Sequence, residues 1–349
     1  MTGRDPHRPN AGTGAGDPSS RLTVGTRVVV RQRLVDTPEA GATDVIGRLA
    51  ERTDDVLVID TRRGLVAVPR RDVVAAKPVP PPATRPGPAH LRVSVDDLAL
   101  VTAQGWVAVE QARRGSWLLR SAPGYTGRAN SVLVVGDPGM PVDVAIDHCE
   151  RWYAERDQTT MFQVNGPVGF TIADHPVAHV LLERGYTIGG GRLDWSRVLV
   201  MTGPLAGIAS QGGSAPHVVA DATLSEEWLS AYSEGRTPVP GVTEAVLTGS
   251  ERQLFLSIRE DTDGRIVAVA RLTLHPGWAG VFGLWVHPDH RRQGLARRVM
   301  AAVATTAREN RLPAVYLQVS EDNDRAIAFY EGLGFTVHHQ YTYLVQPAA

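Results

Sequence analysis

The passage from an apolar run, Ala279 to Val286, through Arg291-Arg292-Gln293-Gly294 into a helix-patterned stretch opening at Leu295 constrains this chain more than any other. A strand that feeds a glycine-containing loop and then a helix aims several free backbone N–H groups at one spot. That spot also lies at the positive end of the helix dipole, so it suits an anion such as a pyrophosphate. Gly294 lets a phosphate approach the backbone, and the small Ala296 leaves the first turn uncrowded. Arg291, Arg292 and Arg297 offer charge-assisted contacts, with Gln293 and Leu295 completing the loop. A strand and helix joined in this way point to an α/β fold.

The continuation has its own pattern. Ala296, Val299, Met300, Val303 and Ala307 recur at helical spacing, and a short apolar strand, Ala314 to Val319, follows. Then come Asn323, Ala326 and Tyr330 on a second helix, Gly334-Phe335, and a terminal strand pair. Loop and order together resemble the second half of the Gcn5-related N-acetyltransferase (GNAT) superfamily, whose loop consensus is Arg/Gln-x-x-Gly-x-Gly/Ala. The resemblance implies acetyl-CoA as co-substrate, its pyrophosphate on residues 291–297. It implies a bulged strand whose backbone at Leu284, Trp285 and Val286 holds the pantetheine arm, and a backbone N–H there would stabilise an oxyanion. Tyr330 matches the family's tyrosine that protonates the departing thiolate, and Asn323 an asparagine that contacts the arm.

Each residue has a plainer reading. Leu284 and Val286 suit any buried strand, Tyr330 suits a core, and Asn323 is a preferred helix N-cap. The general base is missing from its usual place, because Val281 to Trp285 holds no acid. Either water relays the proton, or His287 serves, whose imidazole titrates near neutrality. His287 is equally readable as a strand-end residue in a Val-His-Pro turn.

At 349 residues the chain predicts two or three domains. A net charge of −1 implies no bulk attraction to nucleic acid or membrane, and no apolar run reaches membrane-spanning length. The single cysteine, Cys149, falls on the apolar face of a predicted helix; it excludes an internal disulfide and suits a cytoplasmic location. His338-His339 has no further ligand cluster beside it, so no metal is expected. Lys77 is the only lysine among 36 basic residues, a bias of composition rather than of function.

Residues 1–22 read as a disordered tail. Residues 23–79 carry short strands near Thr26–Val30, Asp44–Arg48, Val56–Asp60 and Leu65–Val68, which predicts a small β-barrel resembling an SH3-like module. With 11 basic and 8 acidic residues over Arg21–Lys77, it has no strong nucleic-acid footprint. A Pro-rich linker spans 80–90. Residues 91–205 and 206–349 repeat one order of strands and helices. The first copy reads as degenerate: Asp137-Pro138-Gly139-Met140-Pro141 stands in place of the anion loop, and Leu181 in place of Tyr330. It nonetheless carries Arg128, Asn130 and Ser131 within four residues, a set that could read a carboxylate.

The whole resembles an actinobacterial GNAT group with an SH3-like N-terminal module and tandem GNAT halves, some of whose members are described as N-acetylglutamate synthases. The expected fold is thus α/β, a mixed sheet flanked by helices in tandem. The expected activity is acetyl transfer from acetyl-CoA to the amine of a small molecule or amino acid, L-glutamate among them. Within the enzyme class the alternative acceptor is a protein or antibiotic amine. From another class, the rival is a non-catalytic protein recruiting partners through the SH3-like module.

Overall fold

The computed structural model describes residues 17–20, 22–34, 41–84, 86–189, 197–211, 218–260 and 264–347; most of the expected N-terminal tail lies outside them. The chain forms two compact units, 1–80 and 81–349.

The first unit is an antiparallel sheet of β1 (Arg27–Arg33), β2 (Ala42–Arg52), β3 (Val56–Thr61), β4 (Gly64–Pro69) and β5 (Val73–Pro78), in the order β4-β3-β2-β1-β5. Val28, Val30, Leu49, Leu57, Ile59 and Val68 are each 0% exposed and form a core of its own. Gly47 sits where a Cβ would lie 2.2 Å from the Asp60 carbonyl oxygen, so β2 and β3 approach there only because residue 47 has no side chain. The fifth strand has no clear alternation and ends on proline, which is why it is hard to read from sequence.

The second unit opens with α1 (Val95–Gln104), β6 (Glu110–Arg114), β7 (Trp117–Ser121), β8 (Val132–Val134), α2 (Val142–Ala154), β9 (Met161–Gly166), α3 (Pro176–Glu183), β10 (Thr187–Ile188) and β11 (Val198–Pro204). It continues through α4 (Leu205–Gln211), β12 (Val218–Asp221), α5 (Glu226–Ser233), α6 (Val242–Thr248), β13 (Gln253–Arg259), β14 (Ile266–His275) and β15 (Trp278–Val286). The last elements are α7 (Leu295–Glu309), β16 (Ala314–Ser320), α8 (Asp324–Glu331) and β17 (Thr336–Val345). One 12-stranded sheet runs β12-β13-β14-β15-β16-β11-β17-β9-β8-β7-β6, with β10 beside β17. Parallel pairing occurs at β8/β9 and β15/β16, each bridged by a helix, α2 or α7, so the same β-α-β unit appears twice.

The expected terminal strand pair is a single strand, β17. The place of a second strand beside it is taken by β11, which pairs with both β16 and β17, while β17 pairs onward with β9. Each repeat thus contributes its last strand to the other, and the sheet is continuous between them.

The two faces of the second repeat hold different cores. Along β16, Val315 and Leu317 join one cluster with Val299, Met300 and Val303 of α7 and Tyr330 of α8. Ala314 and Tyr316 point the other way, into a cluster with α1, α5 and α6. Val299, Met300 and Val303 are 0% exposed, and each such burial is worth roughly 1.5–3 kcal/mol.

Candidate functional site

The site begins where two strands part. β15 and β16 pair in parallel from Trp278↔Ala314 to Val281↔Leu317 and no further, although β15 continues to Val286 and β16 to Ser320. The cause lies on the other edge of β15. Val269 pairs with Trp285 and Arg271 with Phe282, so Gly283 and Leu284 together face Ala270: a β-bulge. Gly283 has φ 61, and a Cβ there would lie 2.6 Å from the Tyr232 ring. Only glycine meets both demands. Beyond Val281, the edge of β15 that faces β16 has no ladder partner, and it contains Leu284, Trp285 and Val286. Leu284 and Val286 pack toward the α7 face and Trp285 toward the α5 face.

Past Val286 the chain makes a short turn, Pro288–His290, and enters the loop. Arg291, Arg292, Gln293 and Gly294 are exposed. Arg292 has φ 64 and Gly294 φ 80. Alternating left-handed backbone of this kind curls successive N–H groups into an anion-binding concavity, and a non-glycine residue in that region is uncommon. No side chain caps the first turn of α7. The side chain of Arg291 donates to the Val286 carbonyl at 3.1 Å and Gln293 to the Asp289 carbonyl at 3.3 Å, which ties the loop to the strand end. The Arg297 guanidinium lies 5.9 Å from the Phe329 ring centroid, between α7 and α8. Leu295 is buried beneath the loop and Ala296 is half-buried. An uncapped helix start under a concave loop, opening onto a strand with an unpaired edge, fits the phosphates and amide arm of a coenzyme A thioester.

Tyr330 stands on α8, on the α7 face, 9% exposed and packed 5.7 Å from Phe335. Burial holds its phenol above the ordinary range, so it is protonated at neutral pH. Among the described residues its hydroxyl has no hydrogen-bond partner. Asn323 caps α8, its Oδ1 accepting the Ala326 N–H at 3.1 Å. His287 is similarly engaged: Nδ1 accepts the Asp289 N–H at 3.3 Å, and Nε2 lies 3.9 Å from Glu234.

Of the trio in the first repeat, Asn130 and Ser131 turn inward. Asn130 accepts from the Ala122 N–H at 2.7 Å and donates to the carbonyls of Ala122, Tyr125 and Thr126, clamping its own loop. Ser131 donates to the Gly127 carbonyl at 2.7 Å and accepts from Arg120 at 2.8 Å. Arg128 alone reaches outward, donating to Gln318 Oε1 at 2.7 Å. Sequence reading missed Gln318, Gly283 and Arg271. Of these, Gly283 had a signal, since a glycine inside an apolar strand marks a bulge.

The matching places in the first repeat are filled from within. The Gly136 N–H donates to Asp96 and the Gly139 N–H to Asp137, both at short range (2.8 and 2.7 Å), so carboxylates take the loop donors an anion would need. The N-cap of α2 is Pro141, which has no N–H. Among the described residues, no group of three or more His, Cys, Asp or Glu could hold a metal, and no helix is long and apolar enough to cross a membrane.

A mixed sheet with a splayed parallel pair and a helix opening on an exposed, positive-φ loop form a GNAT-type fold. Residues 94–344 match the profile of the family described as probable histone acetyltransferase Rv0428c C-terminal, and the chain belongs to that family. Residues 22–77 match the family described as the Rv0428c N-terminal Sm-like domain, so the small β-unit is matched as Sm-like where an SH3-like module was expected. Among curated relatives, a mycothiol acetyltransferase of Clavibacter sepedonicus is 24% identical over 225 residues, 59% of this chain and 72% of the relative. The ribosomal protein bS18-alanine N-acetyltransferase of Escherichia coli K12 is 28% identical over 93 residues, 27% of this chain and 63% of the relative's length. Among solved structures, a GCN5-related N-acetyltransferase from Kribbella flavida superposes with a TM-score of 0.52 at 22% identity, covering 73% of this chain and 96% of that one. A tandem GNAT protein from the clavulanic acid biosynthesis pathway gives 0.51 at 16% identity, covering 75% and 91%. These structures share the fold.

Proposed function

We propose that this N-acetyltransferase takes acetyl-CoA at the second repeat alone and moves the acetyl group to the amine of a small molecule or amino acid, L-glutamate among the candidates. The observation that carries the proposal is the break in pairing after Val281↔Leu317, which opens beside an uncapped α7. In this reading the loop 291–297 holds the pyrophosphate, the free edge of Leu284, Trp285 and Val286 aligns the arm, and a backbone N–H at the bulge stabilises the oxyanion. Tyr330, neutral through burial, gives its proton to the leaving thiolate. Asn323 borders the site as the cap of α8. With no acid in Val281–Trp285, water carries the amine proton away.

A protein amine is the competing acceptor, favoured by the description of the family and by the name of the ribosomal-protein relative. A thiol-release screen decides between them: acetyl-CoA is offered with amino acids, simple amines and a lysine-rich peptide. Turnover with amino acids supports the small-molecule reading. Turnover with the peptide alone replaces it.

A further inference from the structure

We infer that the first repeat, though it has no acetyl-CoA site of its own, supplies the acceptor-reading residue: Arg128 binds a carboxylate on the molecule whose amine is acetylated. This rests on the acetyl-transfer reading above and narrows its substrate class.

Position is the first support. The last paired residues of the splayed strands are Val281 and Leu317, and the next residues on each strand are Phe282 and Gln318. Arg128 touches both. Its guanidinium carbon lies 5.8 Å from the Phe282 ring centroid, and it donates to Gln318 Oε1 at 2.7 Å. The guanidinium therefore stands at the mouth of the splay, on the face opposite Tyr330. An acceptor held by Arg128 would therefore lie on the side of the splay opposite the proposed proton donor.

Charge is the second support. Arg128 is half-buried, and Arg271 and Arg120 nearby are 0% and 2% exposed. Arg271 and Arg120 donate only to neutral oxygens, on Gly105, Ser250, Ser131 and Gln163. Among the described residues none of the three has a carboxylate partner. A cluster of cations in a low-dielectric wall without a counter-charge favours an incoming anion and opposes a second cation. Gln318 matters here, because an amide anchors Arg128 without neutralising it, as a carboxylate at that position would.

Preorganisation is the third. Thr126 holds φ 57, a strained conformation for a β-branched residue, and its hydroxyl accepts from Trp106 Nε1 at 2.9 Å. The four bonds of Asn130 hold the same loop. Arg128 then lies with its guanidinium carbon 4.7 Å from the Trp106 ring centroid, which orients the guanidinium plane and leaves N–H groups free for a bidentate contact.

The test is calorimetric, on the full chain saturated with CoA, titrated with glutarate (a dicarboxylate without an amine) and with cadaverine (a diamine). Glutarate should bind and cadaverine should not. Arg128→Gln should weaken glutarate by roughly 10- to 100-fold, the loss expected when a charge-assisted contact goes. Arg128→Lys should recover part of it, and CoA affinity should hold within about threefold in both. Glutarate affinity unchanged in Arg128→Gln overturns the inference, as does a failure of glutarate to bind the parent, or a preference for cadaverine. If CoA itself does not bind, the acetyl-transfer reading falls, and glutarate titrated alone still decides the role of Arg128.

Discussion

At the scale of single residues the proposed chemistry rests first on Tyr330. A proton donor to the thiolate acts in the transition state and adds little to ground-state affinity. Tyr330→Phe keeps the ring against Phe335 and removes the hydroxyl. The turnover number should fall by roughly 10²- to 10⁴-fold while acetyl-CoA affinity barely moves. A thiol-release assay run beside a binding titration checks this, and turnover within about threefold of the parent would transfer the role to water. His275 makes a different prediction. Burial first, and then the charge of Arg271, push its imidazole down to about 3 from the usual 6.5. The fold therefore favours the neutral ring, and the unfolded chain takes up the proton first. Stability is full above about pH 6.5 and falls as the pH drops toward 3, by up to about 1.4 kcal/mol per pH unit from this residue. Urea midpoints measured from pH 7 to 4.5 should decline, and His275→Gln should flatten part of that slope. A parallel decline in both proteins would assign the acid sensitivity to other groups. The place of Tyr330 on a helix after β16 was legible from helix order and spacing, whereas its proposed role came from the family resemblance. Arg271 was not, because nothing in an apolar strand says that its one arginine will be walled in without an acid.

At the level of elements, the proposed site depends on one irregularity in β15. A regular strand would stay paired with β16 to its end, and there would be no gap. Gly283 makes the irregularity possible through its positive φ and its closeness to Tyr232. Tyr232 cannot swing away cheaply, since its hydroxyl bonds that of Tyr125 at 2.7 Å and its ring stacks on Trp228. Gly283→Ala should therefore cost about 1–3 kcal/mol, read as a lower urea midpoint, and should weaken acetyl-CoA as the unpaired edge shifts. An unchanged midpoint would mean that the bulge does not depend on glycine. The strands and helices of the second repeat were readable, because their apolar residues alternate or recur at helical spacing. The α1 and α5 helices were missed, although Ser94 and Ser225 cap them in the way that marks a helix start. The fate of β11 had no local signal: an apolar run states that it is a strand, and its neighbours are decided by pairing far along the chain.

At the scale of the whole molecule, the proposed chemistry falls on one part of the chain. The small N-terminal unit has its own core and sheet, so deleting residues 1–80 should leave acetyl transfer within about threefold. A soluble, folded truncation that loses most of its turnover would place that unit in the catalytic machinery. The two repeats form one sheet with exchanged last strands, yet only the second keeps an open anion loop, because Asp96 and Asp137 fill the donors of the first. The central claim is thus one working site per chain. Its most direct test is the calorimetric stoichiometry of acetyl-CoA on the full chain and on Gly294→Pro, in which the φ of 80 at residue 294 becomes unreachable. The account predicts one acetyl-CoA per chain and none in the variant; a stoichiometry of two, or binding that survives Gly294→Pro undiminished, would contradict it.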